Sequence, residues 1–174
     1  MARKIVIFSG KQFCGKDTLA QIMLEKMPEF KRFAMGDVIK KTYSEQSGIS
    51  IEEIEANKAF HRPALIELGN WGRQQDPDFW LKKIIEQDGN IFVTDVRMKH
   101  EYEVFKSAGA ISIRIEVPRE IRSSRGQLVN ENDITETDLD EVQDWDYIVH
   151  NDKGLDELKQ IANTLIKELG NEIF

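Results

Sequence analysis

Between a short apolar run and an amphipathic stretch, residues 10–16 read G-K-Q-F-C-G-K, an arrangement that leaves the chain few folds to choose from. Ile5, Val6, Ile7 and Phe8 show no polar alternation, as a strand buried on both faces requires, and Ser9-Gly10 ends the run. Four residues separate Gly10 from Gly15 and Lys16 follows at once. Leu19, Ile22, Met23 and Met27 then fall on one helical face. Strand, glycine loop, lysine and helix in this order make a phosphate-binding loop. Its glycines let backbone N–H groups turn toward an anion, the helix N-terminus adds its positive end, and the lysine supplies a mobile charge.

One position departs from the usual loop. Where Ser or Thr normally follows the lysine, Asp17 stands, with Thr18 behind it. Like unit charges roughly 4 Å apart repel by about 4 kcal/mol at an effective dielectric near 20. Asp17 therefore either faces a nucleotide across an intervening cation or caps the first helical turn, where negative charge is favourable. Mg²⁺ takes hard oxygen ligands, so the first role is chemically sound. Cys14, inside the loop, reads either as a small filler or as a thiol made reactive by nearby amides and Lys16.

A length of 174 residues fits a single domain over 1–174 with a real core. The net charge of −7 argues against general affinity for nucleic acid or anionic membrane, so an anionic substrate must be drawn in by local basic residues. No apolar run approaches membrane-spanning length, and Met-Ala-Arg-Lys leads straight into the first strand without room for a signal peptide. A single cysteine rules out an internal disulfide, so a cytoplasmic location is expected.

Along the chain, residues 30–34, 91–93, 111–117 and 147–149 read as further strands, and helical spacing fills the intervals. Residues 37–46 form a helix capped by Asp37, and Ser50 with Glu53 forms a capping box. His61-Arg62-Pro63 marks a break, with Pro63 in the first turn of a helix that turns Leu65, Leu68 and Trp71 to one side. Trp71 and Trp80 are expected in the core, though either could border a base. Ile111, Ile113, Ile115 and Val117 alternate with a more polar face of Ser112, Arg114 and Glu116. Residues 126–144 are acidic and aperiodic, so loop and short helix are expected there. The pattern predicts an α/β fold with a five-stranded, mostly parallel sheet, whose ligand lies beyond the carboxyl ends of the strands.

The polar clusters fall at those ends. Asp95 closes an apolar strand, where a carboxylate holds Mg²⁺ or caps the next helix. Arg97, two residues on, has the planar fork that grips a phosphate bidentately. Arg119, Arg122 and Arg125 recur every three residues and would share nearly one helical face, either as a cationic lid over a transferring phosphoryl group or as a solvated surface. His61, His100 and His150 lack metal-ligand spacing.

These segments together carry a resemblance. F-S-G-K-x-x-x-G-K-D-T, Leu68-Gly69 with Gly72-Arg73, D-P-D-F-W, T-D-V-R and the closing W-D-Y-I-V-x-N-D resemble the deoxynucleoside monophosphate kinase family. The chain is also similar to animal-type phosphomevalonate kinases, which share the G-K-D loop and a D-P-x-F segment. Dephospho-coenzyme A kinases share the fold, but their G-K-S-T loop differs at Asp17. The resemblance implies a P-loop kinase fold, with an acceptor-binding segment at about 36–75 and a lid at about 118–140. It implies that Gly10, Lys11, Gly15, Lys16, Asp17 and Thr18 bind ATP phosphates, with Asp17 and Asp95 near Mg²⁺. Arg97 would hold the acceptor phosphate, and Asp37, Lys40, Arg62 and Arg73 would line the acceptor side. Arg119, Arg122 and Arg125 would form the catalytic lid with Lys16, and Asn151, Asp152 and Gly154 would run beside the adenine. The expected activity is ATP- and Mg²⁺-dependent transfer to a (deoxy)nucleoside monophosphate by a monomer or homodimer, with no polynucleotide or membrane partner. Phosphomevalonate as acceptor, a non-catalytic nucleotide-binding module and a nucleic-acid kinase are the competing readings.

Overall fold

The computed structural model describes residues 3–171. Five strands form one sheet in the order β2-β3-β1-β4-β5: β1 (Ile5–Ser9), β2 (Phe30–Phe33), β3 (Asn90–Val93), β4 (Ile111–Glu116) and β5 (Tyr147–His150). β1 runs parallel to β3 with Ile7 opposite Val93, and parallel to β4 with Ser9 opposite Arg114. β4 in turn runs parallel to β5. Every residue of β1 is buried, which explains its unbroken apolar run. Strand order reverses around β1, so the loop leaving its carboxyl end lies at the switch point where such sheets bind ligands.

The chain divides into two compact units, one taking the residues up to Arg32 and from Gly89 on, the other Phe33–Asp88. In the first, α1 (Lys16–Lys26) and α9 (Leu155–Asn171) pack together. Leu19, Ala20 and Met23 of α1 join Leu158, Ala162, Leu165 and Leu169 of α9 in the core with Val6 and Phe8. Phe8 and Phe30 meet Phe92 at ring separations of 5.1 and 4.5 Å, adding edge-to-face and tilted aromatic contacts to the area buried. α6 (Lys99–Ser107) ends at Gly109, whose φ of 82° lies in the left-handed region.

The more polar face of β4 is covered. Ser112 and Arg114 are both buried, because residues 139–146 pass over them. Asp146 takes hydrogen bonds from the Ser112 N–H (2.7 Å) and hydroxyl (2.9 Å) and from Lys106 (2.6 Å). Burial alone would raise the Asp146 pKa; the bonds from Lys106 and Ser112 outweigh it and hold the carboxyl below its ordinary range. Arg114 lies under the Trp145 ring and donates to Ser9 Oγ at 3.0 Å. The bland alternation thus hides a covered, hydrogen-bonded face.

The second unit is helical: α2 (Met35–Ser47), α3 (Ile51–Ala56), α4 (Lys58–Gln75) and α5 (Phe79–Ile85). Ser50 caps α3 by accepting from the Glu53 N–H, one half of the expected capping box. Three details differ from expectation. α2 begins at Met35 after an extended Ala34, so Asp37 sits inside the first turn, where the helix dipole still favours a carboxylate. α4 starts at Lys58 and runs through Pro63 without a break. The proline lies in the second turn with its ring exposed, so it forfeits one donor without burying an unpaired group. Trp71 is 44% exposed, not core, since α4 turns a glycine face inward. Trp80 donates its indole N–H to the Gly69 carbonyl at 3.0 Å, and a Cβ on Gly72 would stand 2.6 Å from the same nitrogen. Trp80 itself is buried, as expected.

Candidate active site

Between β1 and α1, the loop is held from outside through its carbonyls. Asn151 Nδ2 donates to the Cys14 carbonyl at 2.9 Å, Arg125 to that of Phe13 at 3.1 Å, and Arg122 to that of Gln12 at 3.4 Å. In a trans peptide the N–H points opposite its C=O, so these donors turn the Phe13 and Gly15 N–H groups to the other side. The Cys14 N–H closes the turn back to Lys11 at 3.1 Å. Gly15 has φ +89°, and the Asn151 side chain fills the space where a Cβ would sit, so a side chain there is excluded twice over. Phe13 also takes a positive φ, 59°, a strained choice for an aromatic residue that the Arg125 bond helps hold.

Lys16 opens α1 and is buried, at 7% exposure. Asp17 is exposed in the first turn, 4.0 Å from Arg32, and Thr18 beside it is exposed too. Burial pushes the Cys14 thiol up, against the lowering effect of Lys16, so the residue is a poor nucleophile and fills space. The carboxyl ends of β4 and β5 open with the loop onto a cavity of about 410 Å³, lined by Lys11, Arg114, Val117, Arg122 and His150 among others.

The three spaced arginines of α7 (Arg119–Arg125) do not share one face. At 3.6 residues per turn each three-residue step falls about 60° short of a full circle, so the set fans over about 120°. Arg119 is exposed and grips Glu131 bidentately at 2.9 and 2.8 Å, which holds the Glu131 carboxyl below its usual range. Arg122 is buried and bonds the Val117 carbonyl as well as the loop. Arg125 joins the Phe13 carbonyl to that of Asn151, the latter at 2.7 Å. Asn151 is buried against the loop, Asp152 is exposed, and Gly154 opens α9 by accepting from the Leu158 N–H.

At the opposite edge of the loop, Arg97 donates to Glu136 Oε1 at 3.3 Å while the Gln12 N–H donates to Oε2 at 3.1 Å. Lys11 bonds Asp140 at 2.8 Å, and Arg114 lies 3.6 Å from the same carboxylate. Arg114 and Glu136 escape a reading of the sequence. Arg114 falls on the polar half of an alternating strand, and Glu136 lies on the four-residue α8 (Ile134–Thr137), inside an acidic stretch that offers no contrast.

A cation would find suitable donors here. Asp17, Thr18, Asp95 and Thr94 supply hard oxygens, and the buried Thr94 hydroxyl has no hydrogen-bond partner. No group of three His, Cys, Asp or Glu among the described residues could hold a metal alone. Mg²⁺ takes one or two protein ligands and completes its shell with phosphates and water.

The expected acceptor-side residues lie in the helical unit. Lys40 bonds Glu55 and lies 3.6 Å from Asp37; its bond to Glu55 raises the ammonium pKa. Arg73 reaches Asn70 at 3.4 Å. Arg62 is exposed and lines a groove on α4 with Pro63, Ile66, Asn70 and Trp71. No helix among the described residues is long and apolar enough to cross a membrane.

Two family models match this chain: phosphomevalonate kinase over residues 8–110 and deoxynucleotide monophosphate kinase over residues 69–161. A phosphomevalonate kinase of Drosophila melanogaster is 26% identical over 172 residues, covering 88% of this chain and 91% of that protein. Among solved structures, a shikimate kinase from Acinetobacter baumannii in complex with shikimate aligns with a TM-score of 0.59 at 14% identity, covering 98% of this chain and 95% of the other. Shikimate kinase from Aquifex aeolicus aligns with a TM-score of 0.54 at 18% identity, covering 97% and 98%. These neighbours share the fold of this chain. With each model matching more than half of its length, the chain belongs to the P-loop kinase family that the phosphomevalonate kinase and deoxynucleotide monophosphate kinase models describe.

Proposed function

We propose that this kinase transfers the terminal phosphoryl group of ATP, with Mg²⁺, to the phosphate of a small monophosphate, and that the acceptor is a (deoxy)nucleoside monophosphate, giving the diphosphate. The loop supports the donor half. Buried Lys16 and the turned N–H groups would stabilise charge on the β- and γ-phosphates, and Arg125 with Asn151 would keep the loop in shape. When bound, Mg²⁺ would neutralise charge on those phosphates, held by Asp17 or Asp95. Arg97 would grip the acceptor phosphate, and an acceptor already anionic needs no general base. The fan of α7 divides its work: Arg122 and Arg125 position the loop, while Arg119 is left to move with the residues around Glu131.

One observation carries the choice of a nucleotide acceptor. The α4 groove offers an exposed indole and an aliphatic wall at Trp71 and Ile66, with Asn70 and Gln74 as polar contacts and Arg62 as the charge. A base needs such a surface and a branched carboxylic acid does not. Phosphomevalonate is the second reading, favoured by the family model that spans the whole acceptor-side segment. A screen of deoxynucleoside monophosphates and phosphomevalonate with ATP and Mg²⁺ decides between them. ADP formation with one or more nucleotides is expected; phosphomevalonate as sole substrate would overturn the choice.

A further inference from the structure

Glu136 lies between the two halves of the proposed reaction. One carboxylate oxygen takes the loop amide of Gln12 at 3.1 Å and the other takes Arg97, assigned above to the acceptor phosphate, at 3.3 Å. A group that touches both lies where donor and acceptor phosphates meet. The Glu136 side chain is 5% exposed, so its charge is out of water and depends on these two donors. The space left at this point, lined by Ser9, Gly10, Lys11, Arg97, Arg114 and Glu136 among others, is about 10 Å³. A single water requires roughly 10–15 Å³ by the same measure, so a phosphoryl group has no room while Glu136 is seated.

The same segment repeats the pattern. Asp140 meets Lys11 and Arg114, and Glu131 meets Arg119. Three carboxylates within ten residues thus face four cations near the loop.

Resting on the kinase reading, we propose that Glu136 is an internal stand-in for the transferring phosphoryl group. Its carboxylate keeps the Gln12 amide and the Arg97 guanidinium in place, and ATP must displace it. Glu136 is a positioning residue, and the 131–140 segment competes with substrate for the cations of the site. A ligand that binds only the displaced arrangement has its affinity reduced by the fraction of molecules in which that arrangement exists. ATP brings a phosphoryl group to this position; ADP does not.

The test is calorimetric titration of Mg²⁺-ATP and Mg²⁺-ADP into the full chain and its Glu136→Gln variant, which keeps the shape and an acceptor for the Gln12 N–H but loses the charge. ATP should bind the variant at least about tenfold more tightly, as expected if the segment is displaced in about one molecule in ten, while the ADP affinity changes less than about threefold. An unchanged or weaker ATP affinity overturns the role of Glu136. Failure of the unaltered chain to bind ATP at all overturns the kinase reading with it. Should Glu136→Gln not fold, Asp133→Ala serves instead, since Asp133 caps the turn carrying Glu136 through the Thr135 N–H and hydroxyl at 2.9 and 2.7 Å. There too a gain for ATP over ADP supports the proposal, and equal affinities contradict it.

Discussion

The loop-bearing unit and the helical unit hold their charged residues in different ways. Around the loop nearly every candidate side chain already has a protein partner: Lys11 with Asp140, Arg97 with Glu136, Arg119 with Glu131, and Arg122 and Arg125 with carbonyls. In the unit Phe33–Asp88, Lys40 is similarly tied, but Arg62 and Arg73 are exposed, and Arg73 makes a long bond to Asn70. Charges fixed beforehand by protein partners stabilise a developing anion without reorganising. Charges in water are screened and gain strength only when a ligand covers them. On the proposed kinase function, the loop unit would then govern rate and the helical unit recognition.

That contrast predicts unequal losses. Lys16→Ala should lower turnover by about a thousandfold, the upper range for one preorganised donor, with the melting temperature little changed. Steady-state kinetics and a thermal melt on the same preparation would check it, and near-normal turnover would remove the loop from the chemistry. Arg62→Ala should raise the acceptor KM by about tenfold, the worth of one charge-assisted hydrogen bond, and leave ATP affinity unaltered. A loss of turnover at saturating acceptor would place Arg62 on the rate side and erase the division.

Much of this was legible in the residues. The run 5–8, the glycine loop and the α1 face led to a buried strand, a turn and a packed helix, because burial on both faces and a 3.6-residue period leave unambiguous marks. What stayed hidden depended on contacts distant in sequence. Arg114 and Ser112 read only as a more polar face, because alternation reports polarity and not whether another segment covers it. Trp71 read as core because a glycine stripe at Gly69 and Gly72, which turns α4 toward Trp80, carries no weight in an apolar pattern. Glu136 is one of several carboxylates in an aperiodic stretch, and only its two partners, 124 and 39 residues away, distinguish it.

The reaction itself can be read by ³¹P NMR of the chain mixed with ATP, Mg²⁺ and a deoxynucleoside monophosphate. New resonances of a phosphate anhydride on the acceptor, rising in step with ADP and missing when the acceptor is the unphosphorylated nucleoside, are the expected result. ADP accompanied by inorganic phosphate alone, at a rate indifferent to the acceptor, would contradict transfer to a phosphate group.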